Sequence, residues 1–131
     1  MAFTAISTKD VCIQEGGVGG YNMIASGTIL AGQAVEIVTY PYVIATDSNP
    51  ALDFIGVAGE SASSGEPVAV YGPGSIVYSR VSGASVAAGD ELQATKDGEF
   101  ADLAAAASGL VGIALETQAT ADGLCRILLF K

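Results

Sequence analysis

A chain of 131 residues, half of them hydrophobic but only 15% charged and 7% aromatic, has enough apolar mass for one modest core. The 17 glycines among Ala, Val, Ile and Leu favour short strands and tight turns over long helices with charged outer faces. Fourteen acidic against five basic residues give a net charge of −9, and Lys9, Arg80, Lys96, Arg126 and Lys131 are scattered, so no nucleic-acid partner is expected.

The first 25 residues differ from the rest. Phe3, Ala5, Ile6, Val11 and Ile13 alternate loosely with polar residues, and Glu15-Gly16-Gly17-Val18-Gly19-Gly20 follows. A phosphate-cradling loop needs a strand before it, a helix after it and usually a nearby Lys. Tyr21-Asn22-Met23-Ile24 supplies neither helix signal nor Lys, so the glycines read as a hinge or irregular loop. Residues 1–25 are therefore expected to form an extended N-terminal arm with a Gly-rich hinge, ahead of a β domain over 26–131. Residues 1–20 lack a basic start followed by an apolar core, and no run approaches about 20 apolar residues. We expect a soluble chain made in the cytoplasm, without a membrane partner.

From Ser26 onward strands alternate with turns. Ala34–Val38, Phe54–Ala58, Pro67–Tyr71 and Ser75–Val81 are apolar or β-branched runs bounded by Gly, Pro and Ser clusters. Asp97-Gly98, between Leu92–Thr95 and Glu99–Leu103, is the strongest hairpin signal. Ala101 to Ala107 has helix propensity but no apolar stripe, and is expected to give one helical turn or an extended connector. Leu110–Leu115 and Leu124–Phe130 read as closing strands around Ala121-Asp122-Gly123. Cys125, inside the last run, reads as a buried small hydrophobe. A disulfide to Cys12, tying the arm to that strand, is the alternative.

Two halves of the chain resemble each other. Ala31-Gly32 and Ala88-Gly89 stand 57 residues apart, each leading into a strand. Ile55-Gly56-Val57-Ala58-Gly59-Glu60 and Val111-Gly112-Ile113-Ala114-Leu115-Glu116 stand 56 apart. The repeat is placed at about 26–74 and 83–131. Neither half can bury its apolar face alone, so a pseudo-symmetric barrel or sandwich is expected. Gly56 and Gly112, inside apolar strands, mark bulges or close backbone approaches.

Catalytic signals are missing. The chain has no histidine, no nucleophile elbow, no P-loop and no dinucleotide fingerprint. Asp90-Glu91 and Asp97/Glu99 lack EF-hand spacing, and Glu60 and Glu116 at equivalent repeat positions read as turn residues. We expect no enzyme activity, cofactor or metal.

The run Ala31-Gly32, Ile55-Gly56-Val57-Ala58, Gly65-Glu66-Pro67-Val68-Ala69-Val70, Ala88-Gly89, Asp97-Gly98-Glu99-Phe100, Val111-Gly112-Ile113-Ala114-Leu115-Glu116 and Ile127-Leu128-Leu129 resembles the small capsid decoration, or cement, proteins of tailed bacteriophages. A looser likeness links it to lambda-type head decoration proteins. The resemblance covers about residues 26–131. Neither the Gly-rich stretch nor Tyr40-Pro41-Tyr42 is part of its pattern. It implies an all-β, compact β-tulip or β-barrel-like domain on the outer surface of an icosahedral virion capsid. There the protein would stabilise the shell as a homotrimer bridging capsomers of the major capsid protein. Phe3, Ile6, Val11, Ile13 and Tyr21, outside the repeat, are then the expected capsid contacts. A tail or baseplate structural module of a similar virus is the main alternative. A small-ligand or carrier β-module, with Lys96 at a hairpin tip, is a further one that lacks the sequence context around that Lys.

Overall fold

The computed structural model of the protein describes residues 3, 14–16, 20–48, 51–82, 86–103, 109–118 and 123–130. Eleven strands fill it: β1 (Gln14–Gly16), β2 (Tyr21–Ala25), β3 (Ala34–Thr39), β4 (Tyr42–Ala45), β5 (Phe54–Ala58), β6 (Pro67–Tyr71), β7 (Ile76–Val81), β8 (Glu91–Ala94), β9 (Phe100–Asp102), β10 (Leu110–Ala114) and β11 (Gly123–Leu129). A single 3₁₀ turn, Lys96–Gly98, is the helical element among the described residues.

The strands close into two barrels of one topology. The first runs β2-β4-β3-β5-β6 and returns to β2; the second runs β7-β9-β8-β10-β11 and returns to β7. Each contains one parallel pairing, β2 with β4 and β7 with β9, while its other pairings are antiparallel. Equivalent residues meet in both: Ala25 opposes Val43 as Val81 opposes Phe100, and the isolated bridge Ile29–Ala62 has its twin in Val86–Gln118. The all-β fold of two related halves is thus as the sequence indicates. β1 stands outside this duplication and adds to β7 antiparallel.

The Ala-Gly signature turns are alike in their bonds. The Leu30 N–H donates to Gln33 Oε1 at 2.8 Å, and the Ala87 N–H to Asp90 Oδ2 at 2.9 Å. Gly32 (φ 89°) and Gly89 (φ 94°) take left-handed backbone there, which a side chain would strain. Their N–H groups donate to Ala58 O and Ala114 O, each at 2.8 Å.

Two differences from the sequence reading concern boundaries. Tyr21–Ala25, assigned above to the arm, is a barrel strand whose neighbours are β6 and β4. Ser75–Val81, left between the halves, is its counterpart and opens the second barrel. The structural units therefore run over 21–71 and 76–129. Tyr21-Asn22-Met23-Ile24-Ala25 and Val77-Tyr78-Ser79-Arg80-Val81 share almost no residue types, so pairing geometry reveals what side chains conceal. Within 101–107, Ala101 and Asp102 are extended in β9, paired to β8 through Gln93 and Leu92, and 104–108 lie outside the described residues.

Packing joins the barrels. One apolar cluster (Ala25, Ile29, Val35, Val43, Ala58, Ala62, Val68, Val70) draws only on the first barrel. The larger one joins the second barrel's Val77, Leu92, Phe100, Val111 and Ile127 to Ala34, Ala51, Phe54 and Val57 from the first. β5 is covered on both faces, which explains its unbroken Phe-Ile-Gly-Val-Ala run. β7 alternates, with Val77, Ser79 and Val81 buried and the residues between half-buried.

Candidate assembly surfaces

The titratable groups offer little chemistry. Among the described residues no group of three or more His, Cys, Asp or Glu could hold a metal ion. Cys125 carries a free, fully buried thiol whose pKa is pushed up by burial, opposite to what a nucleophile needs. This fits the reading of Cys125 as a packing residue; Cys12 lies outside the described residues. Glu116 pairs with Arg126, whose guanidinium lies 4.5 Å from the Tyr78 ring centroid. Glu60, its counterpart, is exposed.

The surface is informative where it is apolar. β3 and β4 form a hairpin whose tip, Val38-Thr39-Tyr40-Pro41-Tyr42, rises from the first barrel. Val38 is 54% exposed and Tyr40 78%. Tyr42 is exposed as well. Hairpin tips ordinarily carry Gly, Asn, Asp or Ser; this one carries two phenols flanking a proline.

The equivalent hairpin of the second barrel, between β8 and β9, behaves oppositely. Its tip Lys96-Asp97-Gly98 is the turn expected from Asp97-Gly98, with both residues at positive φ. It docks on the first barrel. Gln33 Nε2 donates to Asp97 O at 2.9 Å, Thr46 Oγ1 donates to Thr95 O, and the Gly98 N–H donates to Thr46 O at 3.2 Å. A Cβ on Gly98 would stand 2.6 Å from Gln33 Cβ, so the turn lies flat on that side chain. Ser79 Oγ on β7 donates to Gly32 O from the same side. The first barrel's Ala31-Gly32-Gln33 turn is consequently buried, whereas Ala87-Ala88-Gly89 in the second barrel is exposed.

A third apolar feature is a cleft of about 440 Å³ at the link between the barrels, lined by Tyr21, Phe54, Ile55, Pro73 and Phe130. Tyr21 and Phe130 are about half exposed at its mouth.

These observations locate the expected contact residues. Tyr21 stands on β2 beside the cleft. Phe3 is only 7% exposed, with the Arg80 guanidinium 5.7 Å from its ring centroid, so it packs on its own domain rather than facing outward. Ile6, Val11 and Ile13 lie outside the described residues. The expected contacts did not include Val38, Tyr40, Tyr42 and Phe130, which the fold leaves exposed. The available signal was the aromatic pair around Pro41, at a place where a turn calls for small polar residues.

The family model described as phage cement protein matches residues 13–129. Among solved structures, the crystal structure of the head fiber gp8.5 N base of bacteriophage phi29 superposes with a TM-score of 0.64. Identity is 18%, over 87% of this chain and 93% of that one, so the likeness is one of fold. No curated protein matches.

Proposed function

The chain belongs to the phage cement protein family, and from that premise we propose that it binds the major capsid protein as a homotrimer, bridging neighbouring capsomers without catalysing a reaction. It is a capsid-associated structural protein of the virion. The observation that carries the reading is the family match, which spans both barrels from β1 to the end of β11.

The physics of such a clamp needs no single strong site. Once one subunit of a trimer is seated, its tethered partners meet their own sites at high effective concentration, so modest contacts sum to firm attachment. A clamp whose sites lie on different capsomers engages only the shell geometry in which their spacing matches. By linkage it stabilises that geometry by RT ln(1 + [L]/Kd) per site. A net charge of −9 makes copies repel one another except where specific contacts outweigh it, an effect that salt screens.

Tyr21 beside the cleft, together with Ile6, Val11 and Ile13 from the N-terminal stretch, are our candidates for the shell-facing contact. Half-exposed aromatic anchors beside a cavity are the usual strong points of an interface. Purified protein mixed with mature, undecorated heads of the virus that encodes it should bind saturably and raise the temperature at which the shells open. Tyr21→Ser should weaken that binding about tenfold or more at a temperature where circular dichroism shows the variant folded, its own melting falling somewhat because the ring is half buried beside Gly72. Binding to neither expanded nor unexpanded shells would exclude the capsid role.

A further inference from the structure

We propose that the hairpin tip Val38–Tyr42 of one copy docks on the Ala87–Asp90 turn of another copy, repeating between chains the contact that joins the two barrels within one chain. This deepens the homotrimer reading and rests on it, because it names the faces that such an assembly would use.

The duplication supplies the argument. Each barrel has a hairpin tip, 38–42 or 95–99, and an Ala-Gly turn, 30–33 or 87–90, at equivalent places in one topology. Inside the chain one tip is docked on one turn. The second barrel's Thr95–Glu99 lies on the first barrel's Gln33 and Thr46 through three hydrogen bonds, and Ser79 bonds Gly32 alongside. Were the barrels related by a pseudo-two-fold axis, the other tip and the other turn would meet in the same interface. They do not: Tyr40 is 78% exposed, and Ala87, Ala88 and Gly89 are all exposed. The intrachain contact is head-to-tail, and a head-to-tail contact leaves one head and one tail unused at its ends. A second copy of the same chain carries the matching partner for each, and repetition of the operation builds a ring if the rotation closes.

Side-chain chemistry points the same way. The docked tip is polar, with Thr95, Lys96, Asp97 and Glu99, while the undocked tip carries Val38, Tyr40 and Tyr42 in the equivalent span. The facing turn offers Ala87 and Ala88 as flat apolar surface and the Asp90 carboxylate as an acceptor for a phenol. Tyrosines that are apolar in body and donating at the tip suit such a surface.

The test separates heads from tails. Tyr40→Glu disables the head and Ala88→Glu the tail; both residues are exposed, so circular dichroism and melting of each variant should match the wild type. In sedimentation velocity at 0.15 M salt, which screens repulsion between the acidic copies, the wild type should assemble and each variant alone should sediment as a single chain. Mixed one to one, the variants retain one good head and one good tail between them, and should form heterodimers that stop there. A variant that assembles as the wild type does, or a mixture that forms no heterodimer or restores the full ring, would overturn the inference. A wild type that stays a single chain at every concentration would overturn it too. Binding to undecorated heads, measured on the same samples, distinguishes failure of these faces from failure of the capsid role: a non-assembling chain that still binds shells leaves the capsid role standing.

Discussion

Glu36 on β3 sits in an environment that disfavours its charge. Burial raises its pKa first, and the carboxylates of Asp47 and Asp53 add to this, although the Asp47 N–H donates to Glu36 Oε1 at 3.3 Å. The folded protein therefore holds this proton more tightly than the unfolded chain does. Stability falls as pH rises from the ordinary glutamate value of 4.5 through the raised folded value, and the loss is complete above it. Glu36→Gln should be more stable than the wild type at pH 7, with the advantage fading once both are measured below pH 4.5. Denaturant midpoints at the two pH values check the sign. The charge pattern that raises this pKa was invisible in the sequence, because Glu36, Asp47 and Asp53 come together only when β3 pairs with β4 and β5. Phe3 was misjudged for a similar reason, since its neighbour Arg80 lies far along the chain.

At the scale of elements, the bulged strands β5 and β10 each bring a glycine close against the backbone of a neighbouring strand. Register shifts beside Gly56 against β3 and beside Gly112 against β8, so one bulge occurs in both barrels. A Cβ on Gly56 would stand 2.3 Å from Tyr71 O, and one on Gly112 2.6 Å from Leu128 O. Both atoms are backbone and cannot swing aside. Gly112→Ala and Gly56→Ala should each destabilise by about 1–3 kcal/mol, the usual cost of overpacking, readable as a lowered denaturant midpoint. This pair of glycines was legible because an apolar strand has no other use for Gly. Strands whose apolar runs end in Gly or Pro were legible too, from β3 and β5 to β11. β4 was not, because Tyr40-Pro41 reads as a terminated strand although Tyr42–Ala45 pairs straight back on β3. β2 was not, because its polar Asn22 and its long-range partner β6 give no local pattern.

For the molecule as a whole, the duplication was readable and the way its copies pack was not. Ala-Gly and Gly-x-Ala recur at fixed spacing, but nothing in either half marks that Phe54 meets Phe100 edge-on at 5.8 Å. That contact belongs to a cluster in which the second barrel's interior is completed by Ala34, Ala51, Phe54 and Val57 of the first. The barrels are duplicates in topology and unequal in dependence. The full chain should unfold in one calorimetric transition, with van't Hoff and calorimetric enthalpies equal. A fragment ending at Pro73 should not fold as a soluble monomer, since it would expose that apolar face. Two separate transitions would show that the shared cluster couples the barrels only weakly.

β1 and β11 flank β7 on opposite sides, and each runs antiparallel to it, so they run parallel to each other. Tension applied to the chain ahead of Gln14 and resisted beyond Leu129 therefore acts along these ladders rather than across them. Hydrogen bonds pulled in shear share the force and must give way together, whereas bonds pulled open like a zipper break one at a time. Among the described residues, the pairing of β1 joins the N-terminal side of the fold to its last strand through β7, and it sets that connection in the geometry that best withstands a mechanical load.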